Sequence, residues 1–175
     1  MAARKTEKLQ PPAAPARWLT AVEEQAWRDF ASVLVRLPWA LECQLQRDAD
    51  LSFIEYHVLA RLSEAPDHTW RMSELAGLTH ASLSRLSHLV KRLEARGFVR
   101  REPDPTDGRY TNAVLTPGGH KHLVASAPGH VATVRRLIID AFTTTELEQL
   151  GDAAERILRR LDQAPADDAS RRNPG

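Results

Sequence analysis

A mainly α-helical chain carrying one small β-hairpin is the fold class that the sequence predicts, and three observations carry it. Apolar residues recur at three- and four-residue spacing over most of residues 19–161, the period of an amphipathic helix. The period changes once, at residues 98–102 and 110–115, two strand-like runs around a polar, turn-rich tip at 103–109. The hairpin follows directly on two helical segments joined by the tight connection Leu78-Thr79-His80.

In order along the chain, Leu19, Val22, Ala26, Phe30, Val33, Leu34 and Leu37 form one apolar helix face. Pro38 is expected to kink or interrupt that helix, and Trp39, Leu41 and Leu45 continue its apolar face. Ser52 and Glu55 have capping-box spacing. They open a second helix whose buried face is expected to be Phe53, Tyr56, Leu59, Ala60 and Leu62, and it should end before Pro66. A short helix is predicted at 73–77 and a longer one at 81–96, closed by Gly97 at the position after the cap. Thr116-Pro117 suits a helix start. That helix runs towards Phe142, with an irregularity expected at Pro128-Gly129. Thr143 and Glu146 offer a second capping box for a last helix through Leu161. Residues 1–17 and 163–175 read as flexible tails, because they lack the apolar side chains whose burial would offset ordering.

Composition narrows the function. The chain has 175 residues, 42% hydrophobic and 27% charged, enough for one domain with a core. No apolar run is long enough to span a bilayer, so no membrane partner is expected. The N-terminal stretch lacks the apolar centre of a secretory signal, which points to a cytoplasmic protein. The single cysteine, Cys43, excludes an intrachain disulfide and cysteine-rich zinc modules. Net charge is only +1, but residues 79–111 hold seven basic groups (Arg85, Lys91, Arg92, Arg96, Arg100, Arg101, Arg109) against four acidic ones. A local basic block is what phosphate neutralisation requires; a solvated helix face is the plainer reading of the same charges.

Two short helices followed by a charged-tip hairpin make a winged helix-turn-helix, whose second helix lies in the major groove of DNA. Placed at about 100° per residue, residues 81–96 put Leu83, Leu86, Leu89, Val90 and Leu93 on the packed side. Ala81, Ser84, His88, Lys91 and Ala95 lie opposite, flanked by Arg85 and Arg92 on one side and Ser87 on the other. Small residues permit close approach, and the hydroxyls and cations supply donors for base edges and phosphates. The candidate DNA contacts are therefore Ser84, Arg85, Ser87, His88, Lys91 and Arg92. Ser82 falls towards the packed side and suits a helix-start hydrogen bond, and Arg92 has the alternative of pairing with a neighbouring helix.

Several stretches resemble the MarR transcriptional regulators: Arg71-Met72-Ser73-Glu74-Leu75-Ala76, the run from Leu83-Ser84-Arg85 through Gly97-Phe98-Val99-Arg100-Arg101, then Asp104-Pro105-Thr106-Asp107-Gly108-Arg109 and Val114-Leu115-Thr116-Pro117-Gly118-Gly119. The resemblance extends over about residues 20–161. It implies a MarR-like domain at 18–162. Residues 18–48 and 117–162 would be dimerisation helices, and 51–116 a winged helix-turn-helix with recognition helix 81–96 and wing 98–116. It also implies a homodimer on a pseudo-palindromic operator, usually as a repressor, released by a small aromatic or anionic effector. At the position matching the family's wing-tip arginine stands Arg109, with Asp107 two residues before it. A guanidinium there suits a narrow, electronegative minor groove, and pairing with Asp104 or Asp107 is the compatible structural role.

Other residues carry weaker signals. Trp27, Phe30 and Tyr56 are candidates for an effector pocket, against the plainer assignment of the aromatics, including Trp18, Trp39 and Trp70, to core or dimer packing. Cys43 is read as a plain buried or half-buried thiol, since acidic Glu42 beside it disfavours the thiolate that a single-cysteine redox sensor needs. His120 and His122 are two apart and do not share a helix face, so no metal or other cofactor is expected. No glycine-rich phosphate loop, nucleophile triad or paired carboxylates point to an enzyme. The rival readings are a winged-helix protein-interaction module and a redox-sensing regulator.

Overall fold

The computed structural model describes residues 16–163. The elements are α1 (Ala21–Ala49), α2 (Phe53–Glu64), β1 (Thr69–Arg71), α3 (Met72–Leu78), α4 (Leu83–Ala95), β2 (Val99–Pro103), β3 (Thr111–Leu115), α5 (Pro117–Leu137) and α6 (Thr144–Gln163). Short 3-10 turns lie at Pro66–His68 and Ile139–Ala141. The chain divides into two units at Leu37/Pro38. The expected tails fall almost wholly outside the described residues.

In the first unit, α1 begins with a capping box: Thr20 N donates to Glu23 Oε2 at 2.8 Å, and Glu23 N donates back to Thr20 Oγ1 at 3.3 Å. Val22, Trp27, Phe30, Val33 and Leu34 are exposed along it. Pro38 does not interrupt the helix, which continues to Ala49.

The second unit is built on a leucine- and valine-rich core. Leu51, Val58, Leu59, Leu62, Leu75, Leu86, Val90, Leu93 and Val99 are essentially inaccessible. The Ser52–Glu55 capping box of α2 forms as expected. The buried face of that helix is turned from the expected one, towards Glu55, Val58, Leu59 and Leu62, with Phe53, Tyr56 and Ala60 half-buried at its edge. Phe53 and Tyr56 meet histidine rings there, Phe53 lying edge-on to His57 at 4.6 Å and Tyr56 4.4 Å from His130, and Tyr56 also packs against the aliphatic core.

The turn between α3 and α4 closes with two backbone bonds, Ala81 N to Ala76 O and His80 N to Gly77 O, and with His80 at φ 48°. That is a Schellman closure with histidine where glycine is usual. Helix α4 closes the same way through Gly97 at φ 74°, with Phe98 N bonded to Leu93 O and Gly97 N to Glu94 O. The sheet is antiparallel in the order β1-β3-β2, with Trp70 opposite Ala113, Arg71 opposite Asn112, and Val99 opposite Leu115. The hairpin was expected; β1 was not, because three residues are too short to display a period.

Thr116 Oγ1 accepts from Gly119 N at 2.9 Å and donates to Gly97 O at 2.7 Å, fixing the start of α5 against the end of α4. Helix α5 runs through Pro128, and the irregularity lies further on, at Ile138 (φ −130°, ψ −66°) and the turn after it. The Thr143–Glu146 capping box opens α6 as expected, but no residue of α6 is buried.

Candidate nucleic-acid interface

Helix α4 is held by one face and presents the other. Ser82 caps it, its hydroxyl accepting from Arg85 N at 3.2 Å, so Ser82 is structural as expected. Leu86, Leu89, Val90 and Leu93 anchor it in the core. Leu83 corrects the expectation: it is 54% exposed, because it sits in the first turn, beyond the edge of the core that begins at Leu86. Ser84, Arg85, His88 and Lys91 are exposed and Ser87 is half-buried. Arg92 takes the alternative role anticipated for it, with Nε donating to Glu55 Oε1 on α2 at 3.1 Å. Burial of the Glu55 carboxyl acts to raise its pKa, but the hydrogen bonds from Ser52 and the Arg92 guanidinium outweigh that and the net shift is downward.

The wing holds Arg109 outward. Its Nε and a terminal nitrogen donate to the Asp107 carboxylate at 2.9 and 2.6 Å, and its backbone N–H donates to the same group at 3.1 Å. The arginine side chain is 84% exposed. Asp104, the other expected partner, is taken by Arg71 instead. Between α4 and the wing runs a groove of about 270 Å³ lined by Met72, Leu83, Ser87, Arg101, Arg109 and Tyr110, among others. It joins Ser87 and Arg109 on one concave surface.

The local basic block resolves into two kinds of cation. Arg92, Arg96, Arg100, Arg101 and Arg109 pair with Glu55, Asp50, Glu102, Glu94 and Asp107. Arg85 and Lys91 side chains form no ion pair among the described residues, and both lie on the outward face of α4.

The other candidates separate. Trp27 and Phe30 lie in the first unit and are exposed; Tyr56 lies in the second, where burial pushes its hydroxyl pKa up. Cys43 is exposed, correcting the buried or half-buried reading: the inward face of α1 there is Leu41, Gln44, Leu45 and Ala49, and Cys43 falls outside that stripe. His122 is turned to the scaffold, its Nε2 2.9 Å from Ala49 O and its ring stacked on Phe98 at 4.5 Å. His120 lies 5.4 Å from His68. Among the described residues no cluster of three or more histidine, cysteine or carboxylate groups is placed to hold a metal ion. No described helix is long and apolar enough to cross a membrane.

A helix-turn-helix followed by a two-stranded wing with a short third strand defines a winged helix-turn-helix protein. The MarR family model matches residues 49–109. The fold is similar to that of Sco3205, a MarR family transcriptional regulator from Streptomyces coelicolor solved in complex with DNA. The TM-score is 0.82 at 40% identity, covering 88% of this chain and 96% of that one. It is also similar to AbsC, another MarR family regulator of that organism, with TM-score 0.81 at 40% identity, covering 85% and 100%. Among curated proteins, the transcriptional repressor MprA of Escherichia coli K12 is 30% identical over 112 residues, 64% of this chain and 63% of MprA. The match thus spans less than two thirds of that relative. The chain belongs to the MarR family of transcriptional regulators and is not an enzyme.

Proposed function

We propose that this chain is a sequence-specific double-stranded DNA-binding repressor, which binds a pseudo-palindromic operator as a homodimer and is released by a small aromatic or anionic effector. The observation that carries the reading is the outward face of α4. There Ser84, Arg85, His88 and Lys91 are exposed, and the two cations have no ion-pair partner among the described residues. An arginine suits the O6 and N7 acceptors of guanine in the major groove, a serine hydroxyl suits base or phosphate, and a lysine suits phosphate. Ser87 extends this footprint towards the wing, and Arg92, still 59% exposed, flanks it as a phosphate candidate whose charge Glu55 largely offsets. Arg109 enters the adjacent minor groove.

The dimer is supported by α6, whose apolar Leu150, Ile157, Leu158 and Leu161 are all exposed, as an amphipathic helix awaiting a partner surface would be. Residues 18–48 and 117–162 are assigned to that association, and 51–116 to DNA. Trp27, Phe30 and Tyr56 are the aromatic candidates for effector contact, each taken within its own unit. The effector needs only unequal affinity for the DNA-competent and incompetent states. The test is a salt titration of binding to a duplex from upstream of the chain's own gene, beside a random duplex. A specific complex loses affinity steeply with salt yet stays ahead of the random duplex. Equal affinity for both would refute the repressor reading, and a monomer in sedimentation would refute the dimer.

A further inference from the structure

The wing tip is a loop with little apolar material. From Asp104 to Arg109 every side chain except Pro105 is polar or absent, so nothing like a hydrophobic core fixes its shape. What the structure shows in place of a core is one arginine from another strand. Arg71, the last residue of β1, donates through Nε to Asp104 Oδ2 at 2.8 Å and through a terminal nitrogen to Thr106 Oγ1 at 3.3 Å. Its guanidinium lies over the Tyr110 ring at 4.9 Å. Arg71 thus touches both ends of the tip and its middle.

Asp104 relays that hold. Its side chain is only 7% exposed. Its second oxygen accepts from Thr106 N at 2.8 Å, from Thr106 Oγ1 at 2.5 Å and from Asp107 N at 3.1 Å. Asp107, positioned through its own N–H, then grips Arg109 by side chain and backbone. The backbone closes the same loop, with Asp104 N bonded to Tyr110 O and Tyr110 N to Asp107 O, both at 3.0 Å. The chain of contacts is continuous: Arg71, Asp104, Asp107, Arg109. The Arg71 guanidinium and the Thr106 and Asp107 donors hold the Asp104 carboxyl far below the usual carboxylate range, so the relay stays charged through all ordinary pH.

We propose that Arg71 is a positioning residue for DNA binding, which locks the wing loop through Asp104 so that Arg109 is presented in one geometry before DNA arrives. Preorganisation of this kind strengthens binding by removing the ordering cost from the association step. Arg71 does so without touching DNA itself. A planar fork that meets a carboxylate, a hydroxyl and a ring face at once is arginine chemistry that lysine reproduces only in part.

The proposal rests on Arg109 as a DNA contact, and its test separates the two claims. Binding of the wild-type chain and of Arg71→Ala, Arg71→Lys, Asp104→Ala, Arg109→Ala and Arg71→Ala/Arg109→Ala is measured on the upstream duplex by fluorescence anisotropy across a salt series. Amide hydrogen exchange at Thr106 and Asp107 is measured without DNA. Arg71→Ala and Asp104→Ala should each weaken binding by about tenfold, a coupling typical of residues in one network, with Arg71→Lys between them and wild type. Because Arg71 acts through Arg109, the double variant should bind no worse than Arg109→Ala alone. The salt slope should not change in Arg71→Ala, since no phosphate contact is lost. Exchange at the two amides should speed up by about tenfold. A double variant whose losses multiply, a reduced salt slope in Arg71→Ala, or unchanged exchange overturns the clamp. If Arg109→Ala binds like wild type, the assignment of Arg109 fails, and with it the binding role of Arg71, while the exchange data still decide whether the loop is clamped.

Discussion

Replacing Gly119 by alanine should destabilise this protein even though it improves the intrinsic helix propensity of α5. A Cβ on Gly119 would lie 2.1 Å from the Phe98 carbonyl oxygen, 2.8 Å from its carbon and 2.9 Å from Leu115 Cδ1. The obstacle is backbone and cannot swing aside. It is held by Thr116, whose N–H and hydroxyl reach Phe98 O at 3.0 and 3.2 Å. Relief therefore means moving the start of α5 away from the β2 corner. Overpacking against a rigid neighbour costs about 1–3 kcal/mol or more, and a backbone clash this close belongs at the upper end. Against it stands about 1 kcal/mol gained by replacing glycine in a helix. The net is a loss of about 2 kcal/mol, or a melting temperature lower by roughly 4–8 °C for a chain of this size. Gly77→Ala is the matched control: Gly77 is in α3 with nothing within 4 Å of a Cβ, so it should gain up to about 1 kcal/mol. Urea and thermal unfolding of both variants check the pair. A Gly119→Ala protein as stable as wild type would show that the close approach of α5 to β2 is not as described.

Three further outcomes are expected. Lys91→Ala should weaken binding to operator and random duplex alike and shallow the salt slope by about 0.9, whereas Arg85→Ala should cost about 1–3 kcal/mol on the operator only; anisotropy on both duplexes separates them. His57 and His130 are both shifted down, by burial first; Arg61 adds to the shift at His57 and His57 to that at His130, with Glu64 opposing at His57. Each is neutral in the fold and takes up a proton on unfolding, so the stability they contribute is intact above about pH 6.5 and is lost as pH falls below it; a thermal melt series should show that loss, and His57→Gln/His130→Gln should flatten it. His80 sits at φ 48°, and His80→Gly should stabilise by up to about 1 kcal/mol on urea unfolding, because only glycine occupies that region without steric cost.

The parts of the fold that were legible in the sequence are those set by local chemistry. Ser52–Glu55, Thr116-Pro117 and Thr143–Glu146 bracket helices because a side-chain oxygen three residues from an N–H is a local arrangement. Thr20–Glu23 carries the same spacing and forms the same box. What was not legible depends on distant partners. Strand β1 exists because Thr69–Arg71 pairs with residues more than forty positions later. Leu83 has the spacing of a core residue and the exposure of a surface one, since periodicity reports direction and not where the core ends. Pro128 carries a local signal for a break, yet α5 runs through it and breaks at Ile138, which carries no such signal.

The basic block at 79–111 shows how the charges counted in a composition can have a different physical role from the one composition suggests. Summed along the chain, seven cations against four anions look like a diffuse positive patch. In the fold, most of those cations serve the scaffold. Arg96 ties the end of α4 to Asp50, Arg101 ties β2 to Glu94 on α4, and Arg92 ties α4 to Glu55 on α2. The Arg96–Asp50 pair, with its carboxylate open to solvent, contributes little stability, and all three pairs remove those charges from the field seen by an approaching polyanion. The residual positive potential then belongs to Arg85 and Lys91, six residues apart on the outward side of one helix. Arg85 and Arg92 are seven apart and share a flank, so only the presence of Glu55 opposite Arg92 decides which of the two is turned inward. A Glu55→Gln substitution would loosen Arg92 and add an unpaired cation to the outward side of α4. It should raise affinity for random duplex more than for operator, since a freed cation finds phosphate on any sequence. Anisotropy on the two duplexes would show it, and an unchanged affinity ratio would mean that Arg92 already contacts phosphate while bound to Glu55.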